Sequence, residues 1–406
     1  MSTISIADRV NRIKESPSGA AAQRVRDLRA QGIPVLSLTV GEPDFDTPEH
    51  VKEAAKRALD AGETKYTPVN GTPELQAAIL DRMERRTGIR YSAPELTVGV
   101  GAKQVIFLAF MATVEAGDEV IIPSPYWVSY PDMVLANGGT PVILPTREED
   151  RFLITPEGLE SAITPRTSWL ILNSPSNPSG AVYSADDFRA IAAVLRRHPG
   201  VKVLTDEIYD EIYFGEGTVS SFVSVAPDLR DRVLTVNGVS KTYAMTGWRL
   251  GYGVGPEVLV SAINKLQSQS SSSTSSISQA AATAALNGDQ SFVSESVAVY
   301  RRRRDMTVEG FNSIPGLSCL SPDGAFYVYV NCAGVIGKRT PGGTVIDSDE
   351  TFCAFLLDHA RVAVVHGAAY GLSPYFRVSF ATSETVISSA VSAVRSAVAE
   401  LSSPVA

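Results

Sequence analysis

The chain has 406 residues, 44% of them hydrophobic and 20% charged, with a net charge of −8. That length exceeds one typical core, so two domains or one large α/β domain are expected, and the acidic balance argues against non-specific binding of nucleic acid. Three cysteines (Cys319, Cys332, Cys353) and four histidines (His50, His198, His359, His366) are too scattered for a disulfide framework or a zinc site, and the missing apolar leader and transmembrane-length run make the reducing cytoplasm the expected compartment.

Residues 1 to about 33 read as an N-terminal arm with a helix over 20–31. A short strand, 34–40, ends at Gly41-Glu42-Pro43-Asp44. Glycine there lets backbone approach a ligand closely, although a plain strand-to-helix loop reads the same way. A helix over 48–61 follows, capped by Thr47 before Pro48. Tyr66 is, by itself, an aromatic near a turn. The strand 96–100 runs into Gly101-Ala102-Lys103 at a helix start, where free backbone N–H groups and the helix dipole favour an anion.

The strand 120–123 precedes Tyr126 and Trp127. Aromatics at the C-terminal end of a strand suit a planar ligand; a core tryptophan is the alternative. The strand 167–173 ends in Ser176-Asn177-Pro178-Ser179-Gly180, a favoured turn former. The strand 201–205 ends in Asp206-Glu207-Ile208-Tyr209, where Asp206 is either a helix cap or a ligand-facing carboxylate.

The apolar run 233–236 closes on a small-residue bend, Asn237-Gly238-Val239-Ser240, and then Lys241. An amine among Tyr243, Ala244, Met245 and Trp248 is partly desolvated, which disfavours its charged form and frees a nucleophile. Arg249, eight residues on, is a permanent cation suited to phosphate. The competing reading is a surface lysine after a turn.

Next comes a helix through 262–266 and a serine-rich run, 267–279. Composition alone reads that run as a flexible linker, but the alanine-rich helix 279–286 follows directly. A helix from about 291 carries Arg301-Arg302-Arg303-Arg304, expected to be a solvated face. Strands at 325–330 and 362–365 flank a helix over 349–360, and His366 reads as structural. Arg377 lies inside the apolar strand of 373–380. A buried unpaired charge is very costly, so Arg377 needs an anion: either an internal ion pair or a bidentate clamp on a ligand carboxylate.

The segment 236–249, with the turns at Gly41, Gly101, Asn177, Asp206 and Arg377, resembles the class I, fold-type I aminotransferases that use pyridoxal 5'-phosphate. The resemblance runs from about Gly41 to about Ser383, and the best match is the bacterial aspartate and aspartate–prephenate branch. It implies an α/β fold: a doubly wound, mostly parallel sheet in a large cofactor-binding domain (48–288), plus a smaller α+β domain formed by 1–47, with the N-terminal arm, and 289–406. It implies ping-pong transfer of the amino group of L-aspartate or L-glutamate to a 2-oxo acid such as 2-oxoglutarate or oxaloacetate.

By the same resemblance, Lys241 forms the Schiff base and shuttles the proton. Asp206 faces the ring nitrogen, Tyr209 and Asn177 the ring hydroxyl, and Trp127 the ring. Gly101, Ala102, Lys103, Ser240 and Arg249 form the phosphate end, joined by Tyr66 from the second subunit of a homodimer. Gly41, Trp127, Asn177 and Arg377 meet the substrate, and Lys103 takes its distal carboxylate. Two departures stand out. Ser18-Gly19-Ala20 occupies the place of Ser-Ala-Thr, which puts prephenate in doubt, and Gly238 replaces a phosphate-binding serine. The rival readings are an aromatic transaminase, a lyase on the same scaffold, and a ligand-sensing regulatory domain. The complete set of cofactor residues weighs against a catalytically dead scaffold.

Overall fold

The computed structural model describes residues 4–15 and 17–402, with only the backbone described at Ser18. Seven strands form its largest sheet: β1 (Leu96–Gly99), β2 (Glu119–Ser124), β3 (Thr140–Pro145), β4 (Thr167–Asn173), β5 (Lys202–Asp206), β6 (Val233–Gly238) and β7 (Gly251–Val254). Their order across the sheet is β1-β7-β6-β5-β4-β2-β3. All neighbours are parallel except β7, which is antiparallel to both β1 and β6.

The continuous apolar runs follow from helices covering both faces. Alternate side chains go to opposite sides. Val120, Ile122, Trp169 and Ile171 pack with Val105, Ile106 and Phe110 of the helix Ala102–Thr113. Ile121, Leu170 and Leu172 face the other way, onto Phe188, Ile191 and Leu195 of the helix Ala185–Arg197.

A second, antiparallel sheet orders Val365–His366, Tyr375–Ser379, Tyr327–Asn331 and Ser318–Cys319. The helices Ser291–Asn312 and Glu384–Ala399 share its apolar cluster through Phe311, Ile387 and Val394. The N-terminal strand is shorter than its sequence suggests: only Leu36–Ser37 pairs, in parallel with Val362–Ala363. The run 362–365 is therefore two strands in two different sheets. Among the described residues no helix is long and apolar enough to cross a membrane.

The serine-rich run is anchored rather than loose. Gln267 and Gln279 bracket it, both 0% exposed. Gln267 Nε2 donates to Val69 O and Val98 O, and Gln279 Nε2 donates to Thr67 and Thr274 O. Ser275 caps the helix Ser276–Asn287.

Only half of the arginine run is a solvated face. Arg301 and Arg302 are exposed and Arg304 is half-buried, but Arg303 is buried against Asp44 (2.8 Å). The guanidinium groups of Arg301 and Arg304 lie 5.8 and 4.9 Å from the Phe214 ring.

Candidate active site

A cleft of about 510 Å³ opens at the C-terminal ends of the parallel strands, the usual ligand position in a doubly wound sheet. Register explains the convergence. Asn173 pairs with Asp206, and Asp206 with Val236. The strands thus end level, and the turns beyond them bring Asn177, Tyr209 and Lys241 to one wall.

Lys241 Nζ donates to Gly41 O at 2.5 Å and lies 5.9 Å from the Tyr209 ring. Burial of the amine lowers its pKa to about 8. Arg377 and Arg249 add to that effect, while Glu42 and Asp206 oppose it. Asp206 sits at the base of the cleft, 5% exposed. Burial raises its carboxyl to about 6, against a 2.7 Å hydrogen bond from Tyr130 OH and one from the Ile208 N–H. The hydroxyls of Tyr209 and Tyr327 are 2.8 Å apart.

One end of the cleft is built for an anion. Gly101 precedes the helix Ala102–Thr113 with φ +80°, and a Cβ there would sit 2.6 Å from Arg249 Nη2. Only glycine allows both that backbone conformation and the approach of the guanidinium. Arg249, itself in the left-handed region (φ 54°), donates to Thr246 O. Ser240 also lines the cleft.

Arg377 is 2% exposed. Its Nη1 donates to Asn177 Oδ1 (3.0 Å) and its Nη2 to Thr39 O (2.6 Å), while Nε has no partner. The guanidinium carbon lies 4.5 Å from the Tyr327 ring and 5.2 Å from that of Tyr370. Among the described residues it forms no ion pair with a carboxylate, so the internal ion pair is not what the fold provides. Lys103 Nζ lies 4.7 Å over the half-buried Trp127 ring. Its pKa is lowered by the surrounding protein and then by Arg249, and it too has no carboxylate partner among the described residues.

Every site residue expected from the sequence except Tyr66 lines this cleft or, as with Gly101, abuts it. Tyr66 is 94% exposed and lies outside the cleft lining. Gly19 and Ala22 of the N-terminal helix reach the cleft; the side chain of Ser18 lies outside the described residues. Sequence reading missed Tyr130, the donor to Asp206, and Tyr327, which joins Tyr209 to Arg377. The strand pairing carries a usable signal for the second. Tyr329 is opposite Arg377, so Tyr327, two residues along, is its diagonal neighbour on the same face.

Comparisons with known proteins place the chain in a family. Residues 33–394 match the family model described as aminotransferase class I and II. The chain is 49% identical to the aspartate/prephenate aminotransferase of Cereibacter sphaeroides, covering 98% of this chain and 99% of that protein. It superposes on the crystal structure of the aspartate aminotransferase from Rhizobium meliloti with a TM-score of 0.96 at 50% identity, covering 98% and 100% of the two chains. For the aspartate aminotransferase of Thermus thermophilus with maleate, the TM-score is 0.90 at 40% identity, covering 97% and 100%. The chain belongs to the class I and II aminotransferases.

Proposed function

We propose that this aminotransferase binds pyridoxal 5'-phosphate in the cleft. It moves the amino group of L-aspartate or L-glutamate to 2-oxoglutarate or oxaloacetate in two alternating half-reactions. The observation that carries the reading is Arg377: a buried guanidinium with no carboxylate partner among the described residues, in the same cleft as an amine whose pKa is lowered to about 8.

The donor set fits the cofactor. The cradle at Gly101, which a Cβ would fill, and the Arg249 guanidinium suit its phosphate. The buried Asp206 carboxylate suits a protonated ring nitrogen, Tyr209 and Asn177 suit the ring hydroxyl, and Trp127 suits its face. When bound, pyridoxal phosphate supplies an aldehyde carbon for the amino group and an electron-withdrawing ring.

The chain's own residues do the rest. Arg377 grips the α-carboxylate with its remaining donors and so orients the substrate Cα. Gly41 borders the carboxylate through its backbone. Lys241 takes the proton from that Cα in one half-reaction and returns one to the 2-oxo acid Cα in the other. A pKa near 8 suits an amine that must both accept and release a proton near neutrality. Lys103, beside Trp127, pairs with the distal carboxylate of a dicarboxylic substrate. The maleate in the Thermus structure is a dicarboxylate of that kind.

The exposed Tyr66 belongs to the neighbouring site of a homodimer, where its hydroxyl meets the phosphate. Residues 48–288 form the cofactor-binding domain, and 1–47 with 289–406 form the smaller one. Three buried, unpaired cysteines support a reducing cytoplasm.

The test is the visible absorption of the cofactor-loaded protein, titrated with L-aspartate and then with 2-oxoglutarate. Aspartate is expected to bleach the chromophore and the oxo acid to restore it. A chromophore indifferent to aspartate refutes the acidic-substrate reading.

A further inference from the structure

Behind the cleft, five charged side chains are packed together, none of them in its lining. Arg82 and Arg86 come from the helix Pro73–Thr87. Arg82 donates to Tyr252 OH (3.2 Å), Glu211 (2.8 Å) and Asp210 Oδ2 (2.8 Å). Arg86 Nε lies 2.9 Å from the same Asp210 oxygen, and its Nη2 lies 3.8 Å from Glu207. Glu207 also accepts from Ser221 OH at 2.6 Å. The Asp210 side chain is fully shielded and both arginines are 9% exposed. Burying such charges carries a desolvation cost that ion pairing often only matches, so stability alone does not account for them.

Their placement suggests what they do. At the end of β5 and in the turn after it, Asp206, Ile208 and Tyr209 line the cleft, whereas Glu207 and Asp210 point back into the arginines. Asp210 Oδ2 also accepts from Asn237 Nδ2 at 2.7 Å, and Asn237 Oδ1 accepts from the Gly238 N–H at 2.7 Å. Asn237 and Gly238 end β6, and Lys241 follows three residues later. One oxygen atom therefore ties the turn carrying Asp206 and Tyr209 to the strand end that delivers Lys241.

We propose that Asn237 and Asp210 are positioning residues: anchored by the Arg82–Arg86 pair, they fix the Lys241 amine relative to Asp206 and Tyr209. The inference rests on Lys241 being the reactive amine. The test begins on the cofactor-free chain. The pH dependence of Lys241 acetylation by acetic anhydride, read by peptide mass spectrometry, gives the protonation midpoint of the amine, expected near 8 in the wild type. Asn237→Ala removes both contacts. It is expected to raise that midpoint by about one unit, toward the ordinary lysine value, and to weaken pyridoxal phosphate binding about tenfold.

Asn237→Ser keeps a hydroxyl for the Gly238 N–H but cannot reach Asp210, so a smaller shift in the same direction is expected; it serves alone if the alanine variant does not fold. Glu119→Gln breaks the Glu119–Arg166 pair at the opposite end of the sheet. It is expected to lower Tm with midpoint and cofactor affinity unchanged, which separates positioning from general loosening. A wild-type midpoint near 8 that persists in the folded Asn237 variants overturns the positioning role alone. A wild-type midpoint in the ordinary lysine range, with no cofactor uptake, overturns the reading of Lys241 itself.

Discussion

Replacing Arg377 by lysine distinguishes a substrate clamp from a structural cation. Arginine has five N–H donors. Asn177 and Thr39 occupy one each, and the Nε is buried without a partner. That leaves three N–H groups without a partner among the described residues, on a side chain that lines the cleft. Lysine keeps the charge but offers a point donor and no bidentate geometry. Losing one charge-assisted hydrogen bond costs roughly 1.5–3 kcal/mol, so kcat/KM should fall by about 10- to 150-fold. The fall should be the same for L-aspartate and for an apolar amino acid, because both carry the same α-carboxylate. Stability should fall only modestly: no carboxylate is orphaned, although the buried Asn177 Oδ1 and Thr39 O lose donors, and the Tm of the cofactor-free chain should drop by a few degrees. The assay is the single-turnover half-reaction with each donor, alongside thermal melting. A loss confined to aspartate, or a collapse in Tm with activity kept, refutes the clamp.

Lys103→Ala should cut the rate with aspartate much more than with an apolar amino acid, as measured by kcat/KM for the two donors; equal losses sink the distal-carboxylate role. Asp206→Asn should inactivate the enzyme yet stabilise the cofactor-free chain at pH 7. The folded pKa of Asp206 is raised to about 6, so the unfolded chain releases this proton first, and stability falls as pH rises from about 4 to about 6, by on the order of 2–3 kcal/mol. Burial also raises Glu207 to about 7, so denaturant melts across that range should show a steeper fall in the wild type than in the variant, with the difference belonging to Asp206. If Tyr66 completes a partner's site, mixing inactive Tyr66→Ala and Lys241→Ala subunits and letting them re-pair should restore about one site in four; no recovered activity argues against a shared site.

Local chemistry made much of this molecule legible before any folding. The buried parallel strands announced themselves as apolar runs because helices cover both faces. Gly101, Asp206 and Lys241 each follow such a run, and strand ends are where a doubly wound sheet presents side chains to a ligand; local chemistry left each with a plainer reading, and only the resemblance gave it a role. The helix Asp349–Ala360 runs over the residues expected of it, with Ser348 capping its first turn.

Other features depend on partners far along the chain. Arg303 reads as one of four solvated arginines until Asp44, 259 residues earlier, is brought beside it. Leu36–Ser37 is a strand only because Val362–Ala363 lies alongside. Tyr130 is an unremarkable aromatic until its hydroxyl reaches Asp206, 76 residues away, and the serine-rich run is fixed by partners elsewhere in the chain, through Gln267 and Gln279 and through Ser271 and Ser276. Periodicity and turn chemistry report which face of a segment is apolar and where the chain bends. Which charge, hydroxyl or backbone edge stands opposite is set by packing, because a buried polar group must find its partner wherever the fold places one.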